Sequence, residues 1–127
     1  MNIRKEIRAL TATEQLEFIN TLLAMKRSGV YDKYVHWHHA VMKATVYPNE
    51  PQDPNYRNGA HRGPAFLPWH REMLMQFEAD LQAINVSVTL PYWDWTQDAA
   101  APEQSPVWRQ GFLGGDGDPA DQFRVQD

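Results

Sequence analysis

The stretch from Leu67 to Ile84 constrains the fold more than any other. Leu67, His70, Met73, Leu74, Phe77, Leu81 and Ile84 recur at spacings of three and four, which lines them up along one face of an α-helix. Pro68 stands in the first turn, where a helix tolerates proline, and Asn85 is a suitable stop. The stripe has one irregularity. His70 lies inside it, and a polar ring among apolar residues needs a partner to offset its desolvation.

Two more helices are predicted upstream. Thr11-Ala12-Thr13-Glu14 fits a capping box, and Leu16, Ile19, Leu22, Leu23 and Lys26 follow at helical spacing. Lys26 and Arg27 suit the negative end of the helix dipole and Gly29 suits its stop, which places the helix at about residues 12–28. A second helix is predicted from about Tyr31 to Ala44, with Tyr34, Val35, His38, Val41 and Met42 on one face. His36 falls on the wetter side and His39 on the flank. Of the cluster "HWHH", periodicity therefore selects His38 as the inward member.

The segment "PNEPQDPNYRNG" reads as a loop, and "VSVTL" alternates like a short strand. "PYWDW" follows, and the remaining tail is rich in Gly, Pro and Asp. The expected fold class is mainly α, with long irregular loops and little β.

Composition removes several function classes. The formal net charge is −4 with both signs mixed along the chain, so no basic patch invites nucleic acid. There is no cysteine, which excludes disulfides, thiolate zinc sites, iron–sulfur clusters and a cysteine nucleophile. Soft-metal chemistry must then run through histidine. No segment approaches the roughly 18 apolar residues of a membrane span, and the N-terminus lacks a signal-peptide core. The default expectation is a soluble cytoplasmic protein without a membrane partner. Export by another route, for example bound to a carrier protein, would leave no mark in the sequence.

Three histidines on separate elements can surround one point: His38 on one helix, His61 on a loop with Gly63 and Pro64, and His70 on the next helix. Imidazole suits copper, zinc, iron and nickel alike. The plainer alternative is a set of core histidines with hydrogen-bonded rings, and spacing by itself leaves both open. His36 and His39 read as solvated, Met73 as core filler and Met75 as surface. Trp69, Trp93 and Trp95 read as packing. Asp94, between two tryptophans, needs hydrogen bonds if buried and could orient a neighbouring element or a ligand.

The segments "KRSGVYDKYVHWH", "NGAHRGPAFLPWHREMLMQFEADLQ", "VTLPYWDW" and "GFLGG" resemble the N-terminal half of a bacterial-type tyrosinase, in the family's order over most of residues 10–115. The resemblance implies a type-3 copper protein. In that family two coppers, each held by three histidines within a four-helix bundle, use dioxygen to oxidise phenols. Carried over by motif, the first copper's ligands fall on His38, His61 and His70. Phe66 and Trp69 would pack around them and Asp94 would buttress the site. Two departures stand out. The loop between His38 and His61 is longer and richer in proline, and the cysteine that some members crosslink to a ligand histidine is absent.

On this resemblance residues 1–127 are the N-terminal part of a tyrosinase copper-binding domain. Its second-copper half is not among them, because only His36 and His39 are left over and neither lies in a matching motif. The expected cofactor is copper, two ions in the complete site and one of them held by this chain. Expected partners are a phenolic substrate, dioxygen, a complementary polypeptide carrying the second copper and a copper-delivering carrier protein. The expected activity is oxidation of a monophenol to an o-diphenol and an o-quinone, or of an o-aminophenol. The alternative is a non-catalytic copper-binding or structural half-domain, inactive without the other half. An oxygen carrier with the same type of centre and a mononuclear zinc hydrolase are the remaining readings.

Overall fold

The structure, a computed structural model, describes residues 3–43, 60–61, 63–109 and 111–114. Helix α1 spans Ala12–Arg27, α2 Val30–Lys43 and α3 Phe66–Ile84, and four single-turn 3-10 segments lie outside them among the described residues. The chain is mainly α, as expected. Two compact units divide it: Thr21–Val88 forms one, and Met1–Asn20 with Thr89–Asp127 forms the other.

The capping box at the start of α1 forms in both directions. The Thr11 backbone N–H donates to Glu14 Oε2 at 2.8 Å, and the Glu14 N–H donates to Thr11 Oγ1 at 3.2 Å. Two of the N–H groups that a helix start leaves unpaired are thereby satisfied. At the other end Gly29 takes φ 78°, which a side chain resists, and α2 begins at the next residue. The Lys26 ammonium meets the Asp32 carboxylate in the first turn of α2.

The buried stripe of α1 differs from the predicted one. Phe18, Thr21 and Met25 are buried, whereas Leu16 is 59% exposed and Leu23 is exposed as well. Apolar residues occupy two adjacent faces of this helix, so spacing alone does not choose between them. Helix α3 is divided in the same way: Leu81 is fully buried, yet Leu67 is 74% exposed, and Leu74 and Ile84 are exposed too. The predicted end of α2 at Ala44 and the proline-rich loop that follows lie outside the described residues.

Helices α2 and α3 pack antiparallel, since Tyr34 meets Phe77 and Asp80 while the later His38 meets the earlier His70. The Tyr34 ring stands edge-on to Phe77 with centroids 4.9 Å apart, and Tyr31 does the same at 5.9 Å. Asp80 Oδ2 accepts from the Tyr34 hydroxyl at 2.6 Å and from Lys33 Nζ at 2.7 Å. These contacts differ in weight. An exposed ion pair such as Lys33–Asp80 contributes at most about 1 kcal/mol. A hydrogen bond from a buried phenol to a carboxylate is worth roughly 1.5–3 kcal/mol. The Tyr34–Asp80 bond is the stronger tie.

The predicted strand at "VSVTL" does not form. Strands need a neighbour to complete their hydrogen bonds, and residues 86–88 instead form the turn that follows α3. The Asn85 N–H donates to Leu81 O at 2.9 Å, the Val88 N–H to Asn85 O at 3.1 Å, and Gln82 Nε2 to Val88 O at 3.1 Å. Among the described residues, strand-like pairing is confined to one parallel bridge between Glu6 and Tyr92.

The other unit is held by caps and cross-links. The Ile7 N–H donates to Tyr92 O and the Tyr92 N–H to Lys5 O. Asp98 accepts from Arg8 Nη2 at 2.5 Å and from the Trp93 indole at 2.6 Å. Ser105 caps the 3-10 turn Pro106–Trp108, the Trp93 and Trp108 rings meet edge-on, and Phe18 packs on Phe112. Trp95, expected to pack, is 63% exposed.

Candidate metal centre

The unit Thr21–Val88 brings together the three histidines that spacing and motif had marked. His38, His61 and His70 each offer a ring nitrogen within 4.8 Å of the others, and all three are half-buried. His38 is contributed by α2 and His70 by the first turns of α3. His61 precedes α3, next to the fully buried Ala60. The chain reaches the helix through a turn in which the Phe66 N–H donates to Gly63 O.

Ala65 provides no side-chain cap at this helix start. The Phe66 N–H is bonded to Gly63 O, Pro68 has no N–H, and the Trp69 N–H is bonded to Ala65 O. Side chains on a helix lean toward its N-terminus, and that lean carries the His70 ring back over the first turn. Its Nδ1 lies 2.7 Å from the Phe66 carbonyl oxygen. With the proton on Nδ1 donated there, the tautomer is set and Nε2 is left with a free lone pair.

The three Nε2 atoms converge. His38 Nε2 is 3.2 Å from His61 Nε2 and 3.4 Å from His70 Nε2. Ligands about 2.0–2.1 Å from a tetrahedral metal lie roughly 3.3 Å from one another. The cluster therefore has the spacing of a metal tripod. A cluster of hydrogen-bonded histidines fits less well, because a single proton on His38 Nε2 cannot serve both contacts at full strength. A cation at the centre serves all three lone pairs.

Electrostatics point the same way. The His38 pKa lies below its ordinary value, first because burial disfavours the imidazolium and then because His61 and His70 stand close. A neutral ring is the form that binds metal. The donor set is three imidazoles without thiolate or carboxylate, which suits copper, zinc, iron and nickel alike.

Aromatic rings wall the cluster. Phe66 lies 4.6 Å from the His70 ring and 6.1 Å from His61, between centroids. Trp69 lies 4.8 Å from His70 and 5.9 Å from His38. Asp94 belongs to the other unit, and its carboxylate accepts from the Thr96 N–H, the Thr96 hydroxyl and Gln97 Nε2, capping a 3-10 turn. Those bonds hold its pKa below the usual carboxylate value, Gln97 contributing most. His36 and His39 are exposed on α2, as expected.

Two partners escaped the sequence reading. The Phe66 carbonyl is a backbone group, four residues before His70, and only the helical register reveals it. Asp80 stands at the edge of the α3 stripe, three residues after Phe77, and a carboxylate bordering an apolar face was the available clue.

Two helices and a loop present three imidazoles placed so that they could hold one metal ion. Residues 28–126 match the family model described as the common central domain of tyrosinase. The chain belongs to the tyrosinase family. It is 42% identical over 122 residues to the grixazone synthase of Streptomyces griseus, covering 96% of this chain and 38% of that protein. The tyrosinase of Streptomyces antibioticus is 44% identical over 117 residues, covering 92% of this chain and 40% of that protein. The tyrosinase of Streptomyces galbus is 40% identical over 128 residues, covering 100% and 44%. The chain thus spans about two fifths of the length of these curated relatives. Among the described residues no helix is long and apolar enough to cross a membrane.

Proposed function

We propose that this chain supplies the first-copper site of a phenol oxidase, with His38, His61 and His70 as the three ligands. The observation that carries the reading is the convergence of their Nε2 atoms at 3.2 and 3.4 Å. Family membership selects copper from the metals that imidazole accepts. A second set of ligands, supplied outside these 127 residues in the same or a separate polypeptide, completes a two-copper centre.

The reaction is the oxidation of a monophenol by dioxygen to an o-quinone and water, through the o-diphenol. An o-aminophenol is an equally suitable substrate for this half. Copper supplies the electron exchange with dioxygen that side chains cannot perform. The residues of this chain set the geometry. His70 is held through Phe66 O so that Nε2 faces inward. Burial and the neighbouring His61 and His70 lower the His38 pKa, which favours the neutral ring that binds metal. The rings of Phe66 and Trp69 flank the cluster and offer flat apolar surface beside it, which suits an aromatic substrate. Residues that select the substrate and accept its proton belong to the complementary part, which would also cover the exposed faces of α2 and α3.

Native mass spectrometry after copper loading tests this reading. The expected result is one copper per copy of this chain, and two where a complementary polypeptide is bound. A protein that takes up no copper, alone or with its complement, would overturn it. An assembly that binds two coppers yet turns over no catechol would leave the non-catalytic alternative standing in its place.

A further inference from the structure

We propose that Asp80 is a positioning residue for the metal centre, acting through the Tyr34 hydroxyl to set the rotation of α2 and hence the place of His38 Nε2. The proposal rests on the reading of the three histidines as a metal site, and it concerns residues other than those three. Tyr34 and His38 are four residues apart on α2, so they share a face one turn apart. Phe77 and His70 are seven apart on α3 and share its stripe in the same way. The helices therefore meet at two stations. One is the histidine cluster. The other is Tyr34, buried against Phe77 at 4.9 Å, with its hydroxyl donated to Asp80 Oδ2 at 2.6 Å.

The two ligand helices hold their histidines differently. His70 is fixed within its own helix by the Phe66 carbonyl. His38 follows the rotation of α2. At a helix's outer radius of roughly 5–6 Å, a turn of about 10° moves a side-chain tip by about 1 Å. Working sites hold their groups to within about 0.5 Å. The rotation of α2 therefore needs a lock, and ring packing alone is a loose one because an aromatic edge slides on its neighbour. The Tyr34–Asp80 hydrogen bond is directional and ties the phenol to a fixed point on α3. Lys33 supports it from above, donating to the same carboxylate oxygen while its ammonium lies 4.6 Å from the Tyr34 ring centroid.

The test uses cobalt(II), whose visible absorption reports both affinity and coordination geometry, on the protein with any complement that it carries. Asp80→Ala and Tyr34→Phe are each expected to weaken cobalt binding about tenfold, the size seen for groups that orient a ligand from outside. Both are also expected to change the intensity of the visible bands. Asp80→Asn keeps an acceptor for the Tyr34 hydroxyl and is expected to recover most of both properties. A folded Asp80→Ala protein with wild-type affinity and spectrum would overturn the proposal. So would an Asn variant as impaired as the Ala variant, because charge and not the phenol bond would then be responsible. If Asp80→Ala does not fold, Tyr34→Phe, which removes only a hydroxyl, decides alone by the same criteria. Wild-type protein that binds neither copper nor cobalt overturns the metal reading, and this proposal with it.

Discussion

The two units of this chain are built by different means. In the unit from Thr21 to Val88 the site is a product of helical period: α2 and α3 each repeat every 3.6 residues, so one face of each delivers a histidine and an aromatic anchor together. In the unit made of the two chain ends, short 3-10 turns are joined by single bonds between residues far apart, such as Arg8 to Asp98. Periodic elements place many groups with one rule. Capped turns place each group separately. Two of the three clustered histidines, His38 and His70, stand on the first kind of scaffold, where rotation and register are shared among neighbours, and His61 stands just before α3.

The largest effect expected on the helical unit is loss of metal without loss of fold. His61 lies outside every helix, so His61→Ala removes a ligand while leaving the capping box, the α2–α3 contacts and Leu81 untouched. Copper affinity is expected to fall by more than about 100-fold, beyond the range seen when only outer partners are lost. The melting temperature of the metal-free protein is expected to move little, as for changes away from a packed core. Equilibrium dialysis against copper, paired with a thermal melt, measures both. A His61→Ala protein that keeps its copper would mean that these nitrogens are not ligands.

Next in size is a contrast within one helix. Leu81 is 0% exposed and Leu67 is 74% exposed, although both lie on the stripe of α3. Leu81→Ala is expected to cost about 2–5 kcal/mol, the range for truncating a buried leucine. Leu67→Ala is expected to stay within about 0.5 kcal/mol. Urea unfolding midpoints at constant slope give both values. A Leu67 penalty close to that of Leu81 would show that the outer face of α3 is covered in solution, and would sharpen the case for complementary helices there.

The legibility of the two units in the sequence follows from the same difference. Helix α1 was readable from Thr11, Glu14 and Gly29, because caps and stops are local chemistry. His38 and His70 were readable from period, and His61 from motif. What period could not supply was the choice between two adjacent apolar faces on α1, where Phe18, Thr21 and Met25 are buried in place of Leu16 and Leu23. That choice depends on what packs against the helix. The alternation in "VSVTL" misled for a related reason, since a strand exists only where another edge is available. Asp80 was missed because a carboxylate at the border of a stripe looks solvated until the tyrosine opposite is known. In the other unit, nothing near Asp98 in the sequence announces Arg8, which is ninety residues away.

The smallest effect tests that capped unit, and it is one of pH. The Asp98 carboxyl is held down to about 2, first by the Trp93 indole, then by Arg8 and Ser105. In an unfolded chain an aspartate titrates near its ordinary value of about 3.9. A folded pKa below the unfolded one gives stability that is fully present above the unfolded value and is lost as pH falls through the folded one. Between about pH 4 and pH 2, therefore, protonation of Asp98 should loosen the bonds to Trp93 and Arg8. The near-ultraviolet circular dichroism of the Trp93–Trp108 pair is the appropriate readout, because those rings meet edge-on at 5.8 Å. Glu14, also held at about 2 by Lys5 and Thr11, titrates in the same window but reports on the helical start of α1 in the far ultraviolet. Asp98→Asn cannot ionise, so the pH dependence of the tryptophan signal should flatten while the helical one persists. The change stays small because partly solvated ion pairs contribute little. An unaltered tryptophan titration in Asp98→Asn would show that single long-range bonds do not hold this unit, and that it is stabilised by packing in the manner of the helical one.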